Sequence, residues 1–146
     1  MSLLVAVLVG YSLSIVINAS VSAATLVGFG IEVSLLDRLD MIAEEWVGLG
    51  TIYLPLYLVL HAICFWLLGL VLRNRAVLTV VARATYAGVG ALSLMAFYLT
   101  FDAVMGSGGV VVASTRTTTG LFAHAVTGAV SGLLFQLLSS EPRQTD

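Results

Sequence analysis

Residues 46–72 read WVGLGTIYLPLYLVLHAICFWLLGLVL, 27 residues without one charged side chain. A helix crossing a hydrocarbon core of roughly 30 Å needs about 20 apolar residues, so this stretch is long enough to span a membrane. It also lacks alternation. Leu54-Pro55-Leu56-Tyr57-Leu58-Val59-Leu60 is apolar throughout, whereas a membrane β-strand alternates apolar and polar positions over segments of about ten residues. Ala87 to Tyr98 does not alternate either, and a barrel is rejected on both counts.

Three more uncharged stretches lie outward from this one. Met1–Ile31, Ala84–Phe101 and Thr117–Ser140 hold 31, 18 and 24 residues. The four gaps predict an all-α integral membrane protein with a single transmembrane domain over residues 1–146. The expected spanning helices cover residues at about 3–29, 50–72, 78–104 and 117–139. Pro55 falls in the first turn or two of the second helix, where a missing N–H costs least. Gly106-Ser107-Gly108-Gly109 breaks the chain after the third helix. Val110 to Ser114 is too short to span and reads as an extended loop or an early turn of the last helix.

Composition agrees. Only 14 of 146 residues are charged, hydrophobic residues make up 60%, and mean hydropathy is +1.08. A soluble globular domain, a disordered chain and a nucleic-acid binder, which needs a basic footprint, are excluded. The single cysteine, Cys64, excludes an intrachain disulfide framework and a cysteine-based zinc site. It reads as an apolar filler. The N-terminal run has no Arg or Lys ahead of it and stays apolar to Phe29. It is therefore expected to be an uncleaved helix rather than a signal peptide, whose apolar region is about 7–15 residues.

The basic residues set an expected orientation. Arg73 and Arg75 occupy the turn between the second and third helices, Arg83 follows one or two turns later, and Arg143 is in the tail. Arg38 and Arg116 lie on the other side. The positive-inside rule then puts both termini in the cytoplasm. Arg83 reads as a side chain snorkelling to the interface. A plasma-type membrane, bacterial inner by its compact Arg-biased topology, is the expected location.

Between the first two spans the sequence predicts a short amphipathic helix at residues 35–46. Ser34 with Asp37 forms a capping-box pattern. Leu35, Leu39, Ile42 and Trp46 share one face, and Asp37, Asp40, Glu44 and Glu45 the other. Such a helix lies on the outer interface with Trp46 at headgroup depth. It reads as a connector capping the bundle, or as a docking surface.

Two helices carry small and polar stripes. In the first span, Gly10, Ser14, Asn18, Ser22 and Thr25 recur at three- and four-residue spacing, as expected for packing between membrane helices. In the last span, Gly120, His124, Gly128, Gly132 and Gln136 lie four apart, and Gly128-x-x-x-Gly132 is a small-residue contact motif. Ala84, Gly88 and Ala91 offer a matching surface on the third span. Close packing of the third and fourth spans, or of the fourth on a partner, is expected.

His61 and His124 stand inside the spans and are the candidates for a cofactor site. A bis-histidine haem would need both at one depth. The predicted boundaries offset them by about four residues, roughly 6 Å at 1.5 Å per residue, so haem b is not expected and no cofactor or metal is assigned. The simpler reading is a neutral imidazole bonded to a neighbouring helix. A quinone or proton site is the alternative, because ionisable residues in a membrane point to function. Asp102, Arg116 and His124 form a possible polar site near the outer end, with Thr115, Thr117, Thr118 and Thr119 around Arg116; a solvated threonine-rich helix cap is the simpler account. No catalytic motif is present, and a non-enzyme is expected. The leading expectation is an accessory or scaffold subunit in lipid, self-associating or joined to a larger membrane complex through the last helix and the polar stripe of the first. The alternative is a transport or redox subunit using the histidines.

Overall fold

The computed structural model describes residues 1–74, 77–105 and 113–140, the side chains of residues 102, 104, 105, 113 and 116 excepted. Arg75, Gly106–Gly109, Val110 and Arg143, and the side chains of Asp102 and Arg116, thus lie outside the described part, and with them two of the three members of the polar site expected at Asp102, Arg116 and His124. Five α-helices follow in order: α1 (Ser2–Gly28), α2 (Leu35–Gly50), α3 (Tyr53–Leu72), α4 (Thr79–Met105) and α5 (Thr118–Ser139). A 3-10 turn (Ala113–Arg116) precedes α5. No strand occurs among the described residues. Helices α1, α3, α4 and α5 are each long and apolar enough to cross a membrane.

The four long helices close a ring in which α1 neighbours α3 and α5, and α4 neighbours the same two. The Ser2 hydroxyl at the start of α1 donates to the Leu138 carbonyl at the end of α5, 3.2 Å away, so these two run antiparallel. In the spanning windows α1 and α5 are 44% and 39% buried, against 17% for each of α3 and α4. The interior is therefore built mainly between α1 and α5, and α3 and α4 show most of their surface outward.

Two kinds of packing hold the ring. Helices α4 and α5 meet backbone to backbone. A methyl group on Gly90 would collide with the Gly128 carbonyl, one on Gly128 with the Gly90 carbonyl, and one on Gly132 with the Tyr86 carbonyl. Glycine is required at these positions by close approach, as in small-residue membrane crossings. The contact surface on α4 differs from the expected Ala84, Gly88 and Ala91. Gly88 is exposed with open space around it, because it stands two residues, about 200° of helix, from Gly90. Tyr86, Gly90 and Leu94 face α5 instead.

Helix α3 is held by large side chains. Tyr53, Tyr57, His61 and Phe65 fall every fourth residue and are all buried. Phe65 stacks on Phe135 of α5 with centroids 5.0 Å apart and meets Tyr86 of α4 edge-on at 5.7 Å. Tyr53 meets Phe97 and Phe101 of α4 at 6.2 and 5.4 Å. Pro55 is the third residue of α3, where its missing N–H leaves no intrahelical bond unmade.

Helix α2 starts on the expected capping box. The Asp37 N–H donates to the Ser34 hydroxyl at 3.2 Å, and the Ser34 N–H to the Asp37 carboxylate at 2.8 Å. The helix runs four residues past the expected end at 46, to Gly50, because Leu49 continues the apolar face onto the core. Ile42 packs there too, while Leu35 and Leu39 stay exposed. One residue departs from the expected amphipathic split. Glu45 turns inward onto Asn18 of α1. The Trp46 indole N–H donates to the Ser12 hydroxyl at 3.1 Å, and its ring meets Tyr11 edge-on at 5.7 Å, so Trp46 also clasps α1.

Candidate functional site

A hydrocarbon medium cannot satisfy polar side chains, so those that face inward must pair with one another. Ser14, Asn18, His61, Ser114, His124, Thr127 and Ser131 are all buried. Most of them form three hydrogen-bond chains, and the direction of each follows from where the last proton goes.

The first chain crosses from α5 to α2. The Ser114 N–H donates to Asn18 Oδ1 at 3.1 Å, which fixes the amide: Oδ1 faces Ser114 and Nδ2 donates to Glu45 at 2.9 Å. Ser114 Oγ lies 2.9 Å from the same Oδ1, an acceptor only, so the hydroxyl donates to it. Ser114 Oγ is also 2.6 Å from His124 Nε2. Its one proton is already committed, so Nε2 carries the hydrogen and donates. The chain runs His124 to Ser114 to Asn18 to Glu45. His124 Nδ1 is then a buried lone pair with no partner.

The second chain begins at Ser14. The Thr127 hydroxyl donates to the His124 carbonyl at 2.8 Å, so Ser14 donates to Thr127 across the 2.7 Å between them. The third begins at Tyr57. Ser131 donates to the Ala6 carbonyl at 3.1 Å, leaving Tyr57 to donate to Ser131 at 3.4 Å. Gly10 makes room for this meeting, since a methyl there would collide with Ser131 and Tyr57. From Ala6 to Asn18 is 12 residues of α1, or about 18 Å. The polar column thus occupies more than half of a roughly 30 Å hydrocarbon thickness. Beyond Ser131 it ends on the rings of Phe65, Phe135 and Tyr86.

The two histidines belong to different levels. His61 Nδ1 lies 3.0 Å from the Tyr57 carbonyl, which can only accept, so Nδ1 carries the hydrogen and Nε2 is the lone pair without a partner. The His61 ring stacks on Tyr57 at 4.4 Å and meets Phe65 at 5.0 Å. Tyr57 reaches Ser131, which is seven residues along α5 from His124, or about 10 Å. His124 lies against Tyr98 with centroids 4.6 Å apart.

A cavity with about 10 Å³ open to a water centre lies within the column, lined by His124, Asn18, Ser14 and the tyrosines Tyr11, Tyr53, Tyr57 and Tyr98, with Ile15 and Leu49 completing it. That is room for about one water. Of the stripe on α1, Gly10, Ser14 and Asn18 reach the column. Ser22 is half-buried, and Thr25 is exposed with its hydroxyl turned back on the Val21 carbonyl, because by then α1 has passed the end of α5's contact face. Gly120 packs against the carbonyl of Ser114 in the turn before its own helix. At the α2 end of the first chain, burial pushes the Glu45 carboxyl above the usual 4.5, partly offset by the Asn18 N–H.

Sequence reasoning missed Ser114, Thr127, Ser131 and the ring stripe of α3. The stripe had a legible signal, an aromatic or imidazole ring at every fourth residue from 53 to 65. Thr127 and Ser131 each directly precede a contact glycine, and the step of about 100° per residue turns them toward α1 while the glycines meet α4. No family model, curated protein or solved structure matches the chain, so the functional reading rests on this geometry.

Proposed function

We propose that the chain is a non-enzymatic accessory or scaffold subunit of a bacterial inner membrane, working through its outer surface in a larger assembly or with further copies of itself. The observation that carries this reading is the closed interior. The polar column ends on aromatic rings on one side and lies under α2 on the other, and its cavity admits about one water. A substrate or a through-path would need more space. Of the two stripes, Gly10, Ser14 and Asn18 of α1 and Gly128 and Gly132 of α5 are used within the chain. Partner contact therefore falls on the outward surfaces of α3 and α4. The direct test is the mass of the assembly drawn intact from its own membrane.

Both termini are read as cytoplasmic, from Arg73, Arg75 and Arg143 against Arg38 and Arg116. A C-terminal reporter active only outside the membrane should stay silent; activity there reverses the orientation. A transport or redox subunit is the second reading. Two buried lone pairs favour it, His61 Nε2 and His124 Nδ1. The distance between their levels counts against one iron shared by both rings.

A further inference from the structure

The orphaned Nδ1 of His124 stands apart from the other polar atoms of the column. The ring is fully buried, its tautomer is fixed by Ser114 and Asn18, and it lines the one-water cavity. Buried acceptors in folded proteins have partners, and a polar cavity of this size is where an ordered water supplies one. His61 Nε2 is also without a partner, but His61 does not line this cavity.

The cover of the cavity is unusual. Leu49 of α2 closes it, yet α2 has no fully buried residue. Three side-chain bonds tie α2 down: Asn18 to Glu45 at 2.9 Å, the Tyr11 hydroxyl to the Trp46 carbonyl at 2.8 Å, and the Trp46 indole to Ser12 at 3.1 Å. An amphipathic helix held by these ties and by the partly buried Ile42 and Leu49 opens at lower free energy than the glycine-packed crossing of α4 and α5.

We infer that the cavity is a binding site for a single water that donates to His124 Nδ1, and that α2 is the lid through which this water exchanges. The site accepts small O–H donors from the α2 side and leads no further, because Tyr57 spends its proton on Ser131 and Ser131 spends its own on the Ala6 carbonyl. This inference is independent of the assembly reading and survives its failure. The Asn18 amide interrupts proton hopping along the His124–Glu45 chain, since moving a proton through it would require an imidic acid form. The chain therefore orients the ring, and exchange runs through the cavity.

The test uses the full chain with ¹⁵N-labelled histidine in lipid bilayers, followed by solid-state NMR. Magnetisation transferred from water should reach the His124 ring and not His61, with His124 carrying hydrogen on Nε2 and His61 on Nδ1. Glu45→Leu cuts one tie of the lid, and Tyr11→Phe cuts another while keeping the buried ring. Each should raise the rate of water exchange at His124 about tenfold, the effect of losing one hydrogen bond of ordinary to charge-assisted strength, and leave His61 unchanged. No transfer to His124, equal transfer to both rings, or an exchange rate unmoved by both substitutions would overturn the inference.

Discussion

Asn18 is the residue on which the interior turns. Its amide accepts from the backbone and hydroxyl of Ser114 and donates to Glu45, so one side chain links α1, the 3-10 turn and α2. Asn18→Leu keeps the volume and removes all three bonds, stranding the Ser114 N–H and the proton of its hydroxyl in a medium that cannot solvate them. Unsatisfied buried groups cost about 1–3 kcal/mol each, while membrane hydrogen bonds average nearer 0.6 kcal/mol. A net loss of about 2 kcal/mol is expected in reversible unfolding from mixed micelles; an unchanged midpoint would remove Asn18 from this role. In the sequence, Asn18 stood out as the only large side-chain dipole of its helix. Its partner did not, because Ser114 lies in a short stretch with no periodicity to place it. The tautomers of His61 and His124 could not be read at all, since they depend on where neighbouring protons are committed.

At the scale of elements, glycine decides which helices touch. Gly90→Ala or Gly128→Ala drives a methyl into the opposing carbonyl and should cost about 1–3 kcal/mol through overpacking. Gly88→Ala enters open space and should be neutral or slightly stabilising. The same unfolding measurement compares the three, and an equal loss at Gly88 would place the contact face wrongly. The face was half legible: the α5 spacing marked Gly128 and Gly132, but α4 offers glycines at both 88 and 90, and only the phase shared with Tyr86 and Leu94 separates them.

Helix α2 adds a pH dependence. Glu45 has a raised carboxyl in the folded chain, so its docking is favoured below about 4.5 and is lost as pH rises through the higher folded value. Asp37 works the other way: the Ser34 hydroxyl and then the Ser34 N–H hold it below 3.8, and its contribution is lost as pH falls through that lower folded value. Protease access to α2 should therefore increase as pH rises above the ordinary glutamate range, and Glu45→Gln should flatten that increase. A flat profile in the unsubstituted chain would contradict the burial of Glu45. The capping box was visible in the sequence because it depends on four adjacent residues. The inward turn of Glu45 was not, since periodicity alone ranks it with Asp37, Asp40 and Glu44.

The whole molecule is a ring of four apolar helices around a polar column that does not cross it. The spans were legible because the 14 charges are confined to a few places along the chain. The column was not, because its residues come from five elements: α1, α2, α3, the 3-10 turn and α5. The proposal is that a chain with so closed an interior acts through its outside, as a subunit. Native mass spectrometry of the chain extracted from its own membrane in lipid nanodiscs, without exposure to detergent, tests it most directly. The account predicts a fixed stoichiometric assembly, either several copies of this chain or one copy with a defined membrane partner. A single 15.4 kDa chain with only lipid around it would contradict it.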